Sequence, residues 1–220
     1  NFWLYIKDEN TFHNLWRNIF YKGNDPNRTT NSFNYTSWDR LSNAITDQSP
    51  GLWLHPNSNK LRLAFTVEID KIYCRTIDNE NKCNGENLCI YNYRSQECSV
   101  KIEHPKQKYK KPEYSISARN QYIVEYIDLP DIPIKKMVNF SFILDNNILN
   151  IYINNKLLKV HKFLGTPIFN KGNYYFLYPN SLDCELYNFK YIPYTINSEI
   201  NTKLFNNIPN TDRFTKLFRF

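Results

Sequence analysis

Over residues 137–162 the chain reads MVNFSFILDNNILNIYINNKLLKVHK, with an apolar side chain at nearly every second position. Val138, Phe140, Phe142 and Leu144 share one phase, and Asn139, Ser141 and Asp145 occupy the other. Leu149, Ile151 and Ile153 repeat the pattern after Asn146-Asn147, and Leu158 and Val160 repeat it after Asn154-Asn155, with Lys159 and His161 opposite. A period of two places alternate side chains on opposite faces of a strand. Asn tolerates a positive φ, so Asn-Asn suits the tight turns that join antiparallel strands. A helix is disfavoured, because Asn and β-branched residues are weak helix formers. The stretch is therefore expected to be a three-stranded meander with one buried and one wet face.

The same signal recurs along the chain. Phe2, Leu4 and Ile6 alternate in an opening strand, and residues 15–23 form a second one ending in glycine. Leu52 and Leu54, then Leu61, Leu63 and Phe65, make a hairpin around HPNSN. Residues 121–130, 174–178 and 183–194 supply further strands, with Leu186 and Phe189 near one surface. Residues 24–48 are polar and irregular, with a short helix expected around Asp39–Ile45. TINSEI at 195–200 suits one helical turn capped by Asn197 or Ser198. Of the 220 residues, 17 are Tyr and 15 are Phe, types that favour pleated, half-buried surfaces. So many strands and so few helices bury their apolar faces best as two stacked antiparallel sheets. The expected class is all-β: a two-sheet antiparallel sandwich spanning 1–200, with insertions at 24–48 and 70–120 and a packing tail at 201–220.

Four of the five cysteines cluster: Cys74, Cys83, Cys89 and Cys98. Their spacing is wide for zinc, which favours closely spaced Cys pairs, so a disulfide-stapled insertion is the better reading. Three pairings are open. The nested one, Cys83 with Cys89 and Cys74 with Cys98, is favoured, with Asn84-Gly85 in the turn. Disulfides imply an oxidising compartment, extracellular or at a cell surface. Cys184 is left as a buried free thiol or a partner for a cysteine elsewhere. Asn27, Asn34 and Asn139 open sequons for N-glycosylation. No apolar run reaches the length of a membrane span. The start, NFWLYIK, reads as the inside of a strand, so a fragment or excised domain is expected. The net charge of +7 is mostly lysine spread through loops, with no nucleic-acid motif beside it.

Three stretches carry a family resemblance: SPGLWLHPNSNKLRL (49–63), DIPIKKMVNFSFILDNNILNIYINNKLLKV (131–160) and YNFKYIPYTINSEI (187–200). Together they resemble the concanavalin A-like lectin/glucanase superfamily in its laminin-G-like branch, with Asn155, Met137 and Cys184 where that pattern has Gly, Trp and Gly. The resemblance implies a jelly-roll sandwich that binds glycans, proteins or lipids, with some members hydrolases. It also implies calcium in some members, and Asp8, Asp47, Asp128, Asp131 and Asp145 lie at expected strand ends.

Function must be argued from a site rather than from the fold. A retaining glucanase needs paired carboxylates close together on a strand. Glu68 and Asp70 share a face, but no third acid follows. His13, His55, His104 and His161 are far apart in sequence, with no nucleophile motif near them. A basic loop carries Lys106, Lys108, Lys110 and Lys111, with Tyr109 and Tyr114 available to stack on a sugar or anchor an interface. The expected function is a non-enzymatic recognition or adhesion module of a larger surface or secreted protein, contacting a protein partner through loops and the stapled insertion. A lectin that takes anionic glycans on the basic loop is the alternative, and a glycoside hydrolase the third reading. No cofactor is firmly implied.

Overall fold

The alternating runs become strands in the computed structural model, which describes residues 1–8, 14–23, 35–45, 47–70, 79–85, 89–94, 96–100, 120–177 and 182–209. The meander is present as expected: β8 (Met137–Asp145), β9 (Ile148–Ile153) and β10 (Lys156–Lys162) pair in antiparallel sequence. Asn154 and Asn155 both take positive φ, 49° and 60°, in the turn between β9 and β10. With β1 (Phe2–Asp8) and β13 (Asp183–Tyr187) they form a five-stranded sheet in the order β10-β9-β8-β1-β13. A six-stranded sheet holds β2 (Arg17–Gly23), β3 (Gln48–Leu54), β4 (Lys60–Asp70), β7 (Asn120–Asp131), β11 (Thr166–Pro167) and β12 (Asn173–Phe176). Both sheets are antiparallel throughout. A third, two-stranded ribbon pairs β5 (Cys89–Asn92) with β6 (Glu97–Val100).

One core joins the two large sheets. Phe2, Leu4, Ile6, Val138, Phe140, Leu149 and Ile151 enter from the first, and Phe20, Leu52, Leu54, Leu61, Leu63, Phe65 and Val67 from the second. The Phe2 and Phe20 rings meet edge to face at 5.2 Å across the layer. Each large apolar side chain taken out of water contributes roughly 1.5–3 kcal/mol before chain entropy is subtracted.

Each outer face is covered in part, which alternation alone does not reveal. On the six-stranded sheet, Tyr21, Trp53 and Ala64 point away from the core and pack under α1 (Trp38–Ala44), with Trp16, Trp38, Leu41 and Ile45. The expected short helix of the 24–48 insertion is thus a lid on the sheet. Gln48 ties it down: its side-chain amide donates to the Ile45 carbonyl at 3.0 Å and its oxygen accepts from Trp53 Nε1 at 2.8 Å. On the five-stranded sheet, α3 (Ser198–Asn206) stacks Phe205 on Trp3 at 5.5 Å. Asn197 caps it as expected, accepting from Ile200 N at 2.9 Å, so the helix runs past the single turn foreseen into the region read as a tail.

Three expectations are corrected. First, β10 carries a bulge between Leu157 and Lys159, which shifts the phase: Lys159 and His161 lie opposite the buried Ile151 and Leu149, and Val160 opposite Asn150. Leu158 and Val160 are consequently exposed, not core. Second, the last strand stops at Tyr187, and Asn188 turns the chain with φ 49°. Pro193 lacks the N–H that a continued ladder needs. Third, Cys83 pairs with Cys98 across 15 residues rather than with Cys89. Asn84 and Gly85 belong to α2 (Glu80–Gly85), so the segment that the nested pairing made a hairpin turn is a helix, and the ribbon turns later, beyond Asn92. Cys89 is disulfide-bonded as well. Cys74 lies outside the described residues.

Gly23 shows why a sequence with few glycines keeps one at a strand end. A β-carbon there would lie 1.7 Å from the Asp47 carbonyl oxygen, inside any tolerable contact. The crossing is held by Asn170, whose amide nitrogen donates to the Lys22 carbonyl at 2.7 Å and to Asp47 Oδ1 at 3.1 Å. Lys22 Nζ returns a bond to Asn170 Oδ1 at 2.9 Å.

Candidate functional site: an aromatic cleft at one end of the two sheets

Beyond β13 the chain leaves the ladder and crosses one end of the core. Its path is pinned twice: Lys190 N donates to the Asn1 carbonyl at 2.8 Å, and Thr195 Oγ1 to the Leu144 carbonyl at 3.3 Å. This places Phe189 at the centre of an aromatic group, 5.1 Å from Phe20 and from Phe176 and 5.2 Å from Tyr174. Tyr191 follows at 6.0 Å from Tyr174.

The crossing does not close the end of the layers. A cleft of about 350 Å³ remains, bounded by this segment, the β8–β9 turn and the chain just after β11. Its floor is buried Phe2, Phe20 and Phe65, and its walls are half-buried Phe142, Leu144 and Ile168. Around the mouth stand Phe169, Tyr191 and Tyr194, with exposures of 71%, 50% and 68%, together with Asp145, Asn146 and Lys190. Burial, with the neighbouring Tyr191 adding to it, pushes the Tyr174 phenol far above its ordinary value. It is a protonated hydroxyl, able to donate, at any physiological pH.

The sequence places DCELYNFKYIPY (183–194) in one strand and does not by itself single out its aromatics as a site. The signal was present: four rings spaced two or three apart, with Pro193 among them, are too many for a ladder that the proline interrupts.

The residues selected from sequence are dispersed. Lys106, Lys108, Tyr109, Lys110, Lys111 and Tyr114 lie outside the described residues, as do Asn27, Asn34, His13 and His104. Asn139 is described and corrects its sequon. Its amide nitrogen is buried in β8, donating to the Phe2 carbonyl at 3.1 Å and to Asn1 Oδ1 at 3.4 Å, which leaves no N–H for a glycan in the folded chain. Of the aspartates considered for calcium, Asp128 is held by Arg62 through two 2.6 Å bonds and Asp47 is buried against Asn170. Asp145 is at the cleft mouth. No three His, Cys, Asp or Glu side chains among the described residues converge as metal ligands. Glu68 accepts from the Tyr122 hydroxyl at 2.9 Å, and the Asp70 side chain lies outside the described residues.

Two histidines have structural partners. His161 Nε2 meets Glu125 Oε1 at 2.8 Å, joining β10 of one sheet to β7 of the other, and Glu125 Oε2 accepts from Leu164 N at 3.0 Å. His55 packs edge-on to Trp16 at 4.8 Å. Beside it, the Arg62 guanidinium sits 3.8 Å from the Tyr126 ring centroid and 4.8–4.9 Å from those of Trp16 and Trp38. Burial lowers the His55 pKa from its ordinary 6.5, the Arg62 charge lowers it further, and Asp128 opposes both. The folded state therefore resists a proton that the unfolded chain accepts. Stability is full above pH 6.5 and falls as pH drops through 6.5 toward the lower folded value. The urea midpoint is expected to be lower at pH 5.5 than at pH 7.5, with the difference reduced in His55→Gln. An unchanged difference assigns the effect to other groups.

Cys184 is a buried free thiol, and burial pushes its pKa up to about 12. The thiolate is the reactive form. Iodoacetamide at pH 8 is expected to leave Cys184 unmodified in native protein and to modify it in guanidinium without reductant, as read by peptide mass mapping. Labelling of the native protein at a free-cysteine rate would contradict this burial.

No family model matches the chain, and no curated protein or solved structure matches it significantly.

Proposed function

We propose that this chain is a non-catalytic recognition module of a larger surface or secreted protein, laminin-G-like in topology, which holds a protein partner against the mouth of the cleft. The observation that carries the reading is the exposure of Phe169, Tyr191 and Tyr194 around a single opening. Large aromatics clustered at the surface are the side chains that most often anchor protein interfaces. The segment that carries Tyr191 and Tyr194 is already tied at both sides, through Lys190 N to Asn1 and through the Thr195 hydroxyl to Leu144 of β8, so little of its order is lost on docking. The Cys83–Cys98 disulfide fits an oxidising compartment, and the ribbon it staples offers a second contact with Tyr93 exposed.

An array of secreted and cell-surface ectodomains tests this. A partner is expected to lose at least about tenfold in affinity with Tyr194→Ala and with Phe169→Ala, since truncating an anchoring aromatic costs about 2 kcal/mol or more. Binding that neither variant changes removes the rim from the interface. The glycan reading draws on Asp145 and Asn146 at the same mouth, where they supply hydrogen bonds beside rings able to stack on a sugar. Glycan-array binding that depends on Tyr191 and Tyr194, without an ectodomain partner, would favour a lectin.

A further inference from the structure

We infer that the interior of this cleft is a binding site for a small uncharged apolar ligand that carries a hydroxyl or carbonyl group at its outer end. The inference shares the mouth with the proposed partner surface but rests on the interior, so the two can fail separately. The volume, about 350 Å³, falls within the span of roughly 300–1,000 Å³ typical of small-molecule pockets. Filled with water at about 30 Å³ per molecule, it would hold about a dozen waters. Phe2, Phe20, Phe65, Phe142, Leu144 and Ile168 give such waters no side-chain hydrogen-bond partner; two buried serines interrupt this apolar lining, Ser141 and Ser49, and the Ser49 hydroxyl is already taken by the Thr66 backbone. An apolar body replaces them at a gain.

The exposed polar groups lie at the mouth, and they decide the head group. The Tyr174 hydroxyl is protonated at physiological pH, Tyr191 follows with its ring 6.0 Å from that of Tyr174, and the Asn146 amide and Thr195 belong to the same lining. All are neutral. The two charged side chains on the lining, Lys190 and Asp145, are opposite in sign and sum to no net charge. A carboxylate ligand gains no net side-chain charge to pair with. An alcohol or ketone meets donors and acceptors without that conflict.

Nile red, a neutral flat dye with a carbonyl, serves as the probe. Titrated into the whole chain, it is expected to show saturable one-to-one fluorescence enhancement, with 1-dodecanol displacing it at least tenfold more effectively than dodecanoate. Phe142→Trp and Ile168→Trp each place indole volume in the cleft, and each is expected to weaken the dye at least tenfold. Circular dichroism and the thermal midpoint report whether each variant is folded, and either one alone suffices. Val160→Ser, on the exposed side of β10 and outside the cleft lining, is expected to leave dye binding unchanged. Non-saturable uptake, or full dye binding in a folded cleft-filling variant, overturns the site. Equal displacement by dodecanoate overturns the uncharged head group. Tyr194→Ala separates the two readings: a partner lost while Nile red is retained within about threefold supports both, and retained dye with no ectodomain partner leaves the cleft standing without the rim.

Discussion

Replacing Trp53 with alanine is expected to destabilise the protein by about 3–5 kcal/mol, the range for removing a large buried aromatic. Trp53 is buried on the outer face of the six-stranded sheet, stacked on Tyr21 at 5.9 Å and edge-on to Trp38 at 6.5 Å. Its removal leaves a cavity under α1 and strips Gln48 Oε1 of its donor. The same Gln48 side chain binds the Ile45 carbonyl, so the loss spreads to the end of the helix. Trp53→Phe keeps most of the ring but not the N–H, and about 1–3 kcal/mol is expected from the stranded acceptor. Urea unfolding followed by circular dichroism checks both. A cost below about 1 kcal/mol for the alanine variant would mean that α1 does not seat on this sheet.

The second large effect belongs to Phe140. It is fully buried in β8, opposite Phe2 in the β1–β8 register, and stacks on Phe2 at 5.3 Å. Phe2 in turn meets Phe20 of the other sheet, so Phe140 backs the contact between layers. Phe140→Ala is expected to cost about 3–5 kcal/mol. Val160→Ala, two strands away, is expected to stay within about 0.5 kcal/mol, because Val160 is 54% exposed beyond the β10 bulge. The contrast tests the phase of β10 directly. Comparable losses at both positions would put Val160 back in the core, where uninterrupted alternation places it.

Most strands were readable because what specifies them is local. The alternation of β1, β4 and β8, the paired asparagines between β9 and β10 and the Asn197 cap all act within a few residues of chain. The β10 bulge was not readable, since one inserted residue leaves the composition of the strand unchanged while exchanging its faces. Nor was the disulfide. Cys83 and Cys89 are closer in sequence, but α2 carries Cys83 to β6, and spacing does not report the position of a helix.

The cleft depended on tertiary structure most of all. Phe189, Tyr191 and Tyr194 were visible as an aromatic-rich stretch, while their meeting with Ile168, Phe169 and the β8–β9 turn joins segments about twenty to fifty residues apart. The amino-acid sequence by itself determined a mostly β chain with two apolar-faced antiparallel sheets, because hydrophobic period and turn chemistry are properties of neighbouring residues. Tertiary structure decided which faces α1 and α3 cover, which cysteines pair and where the aromatic cleft is left between the layers. Those outcomes turn on packing between residues that only the folded chain brings within a few ångströms of one another.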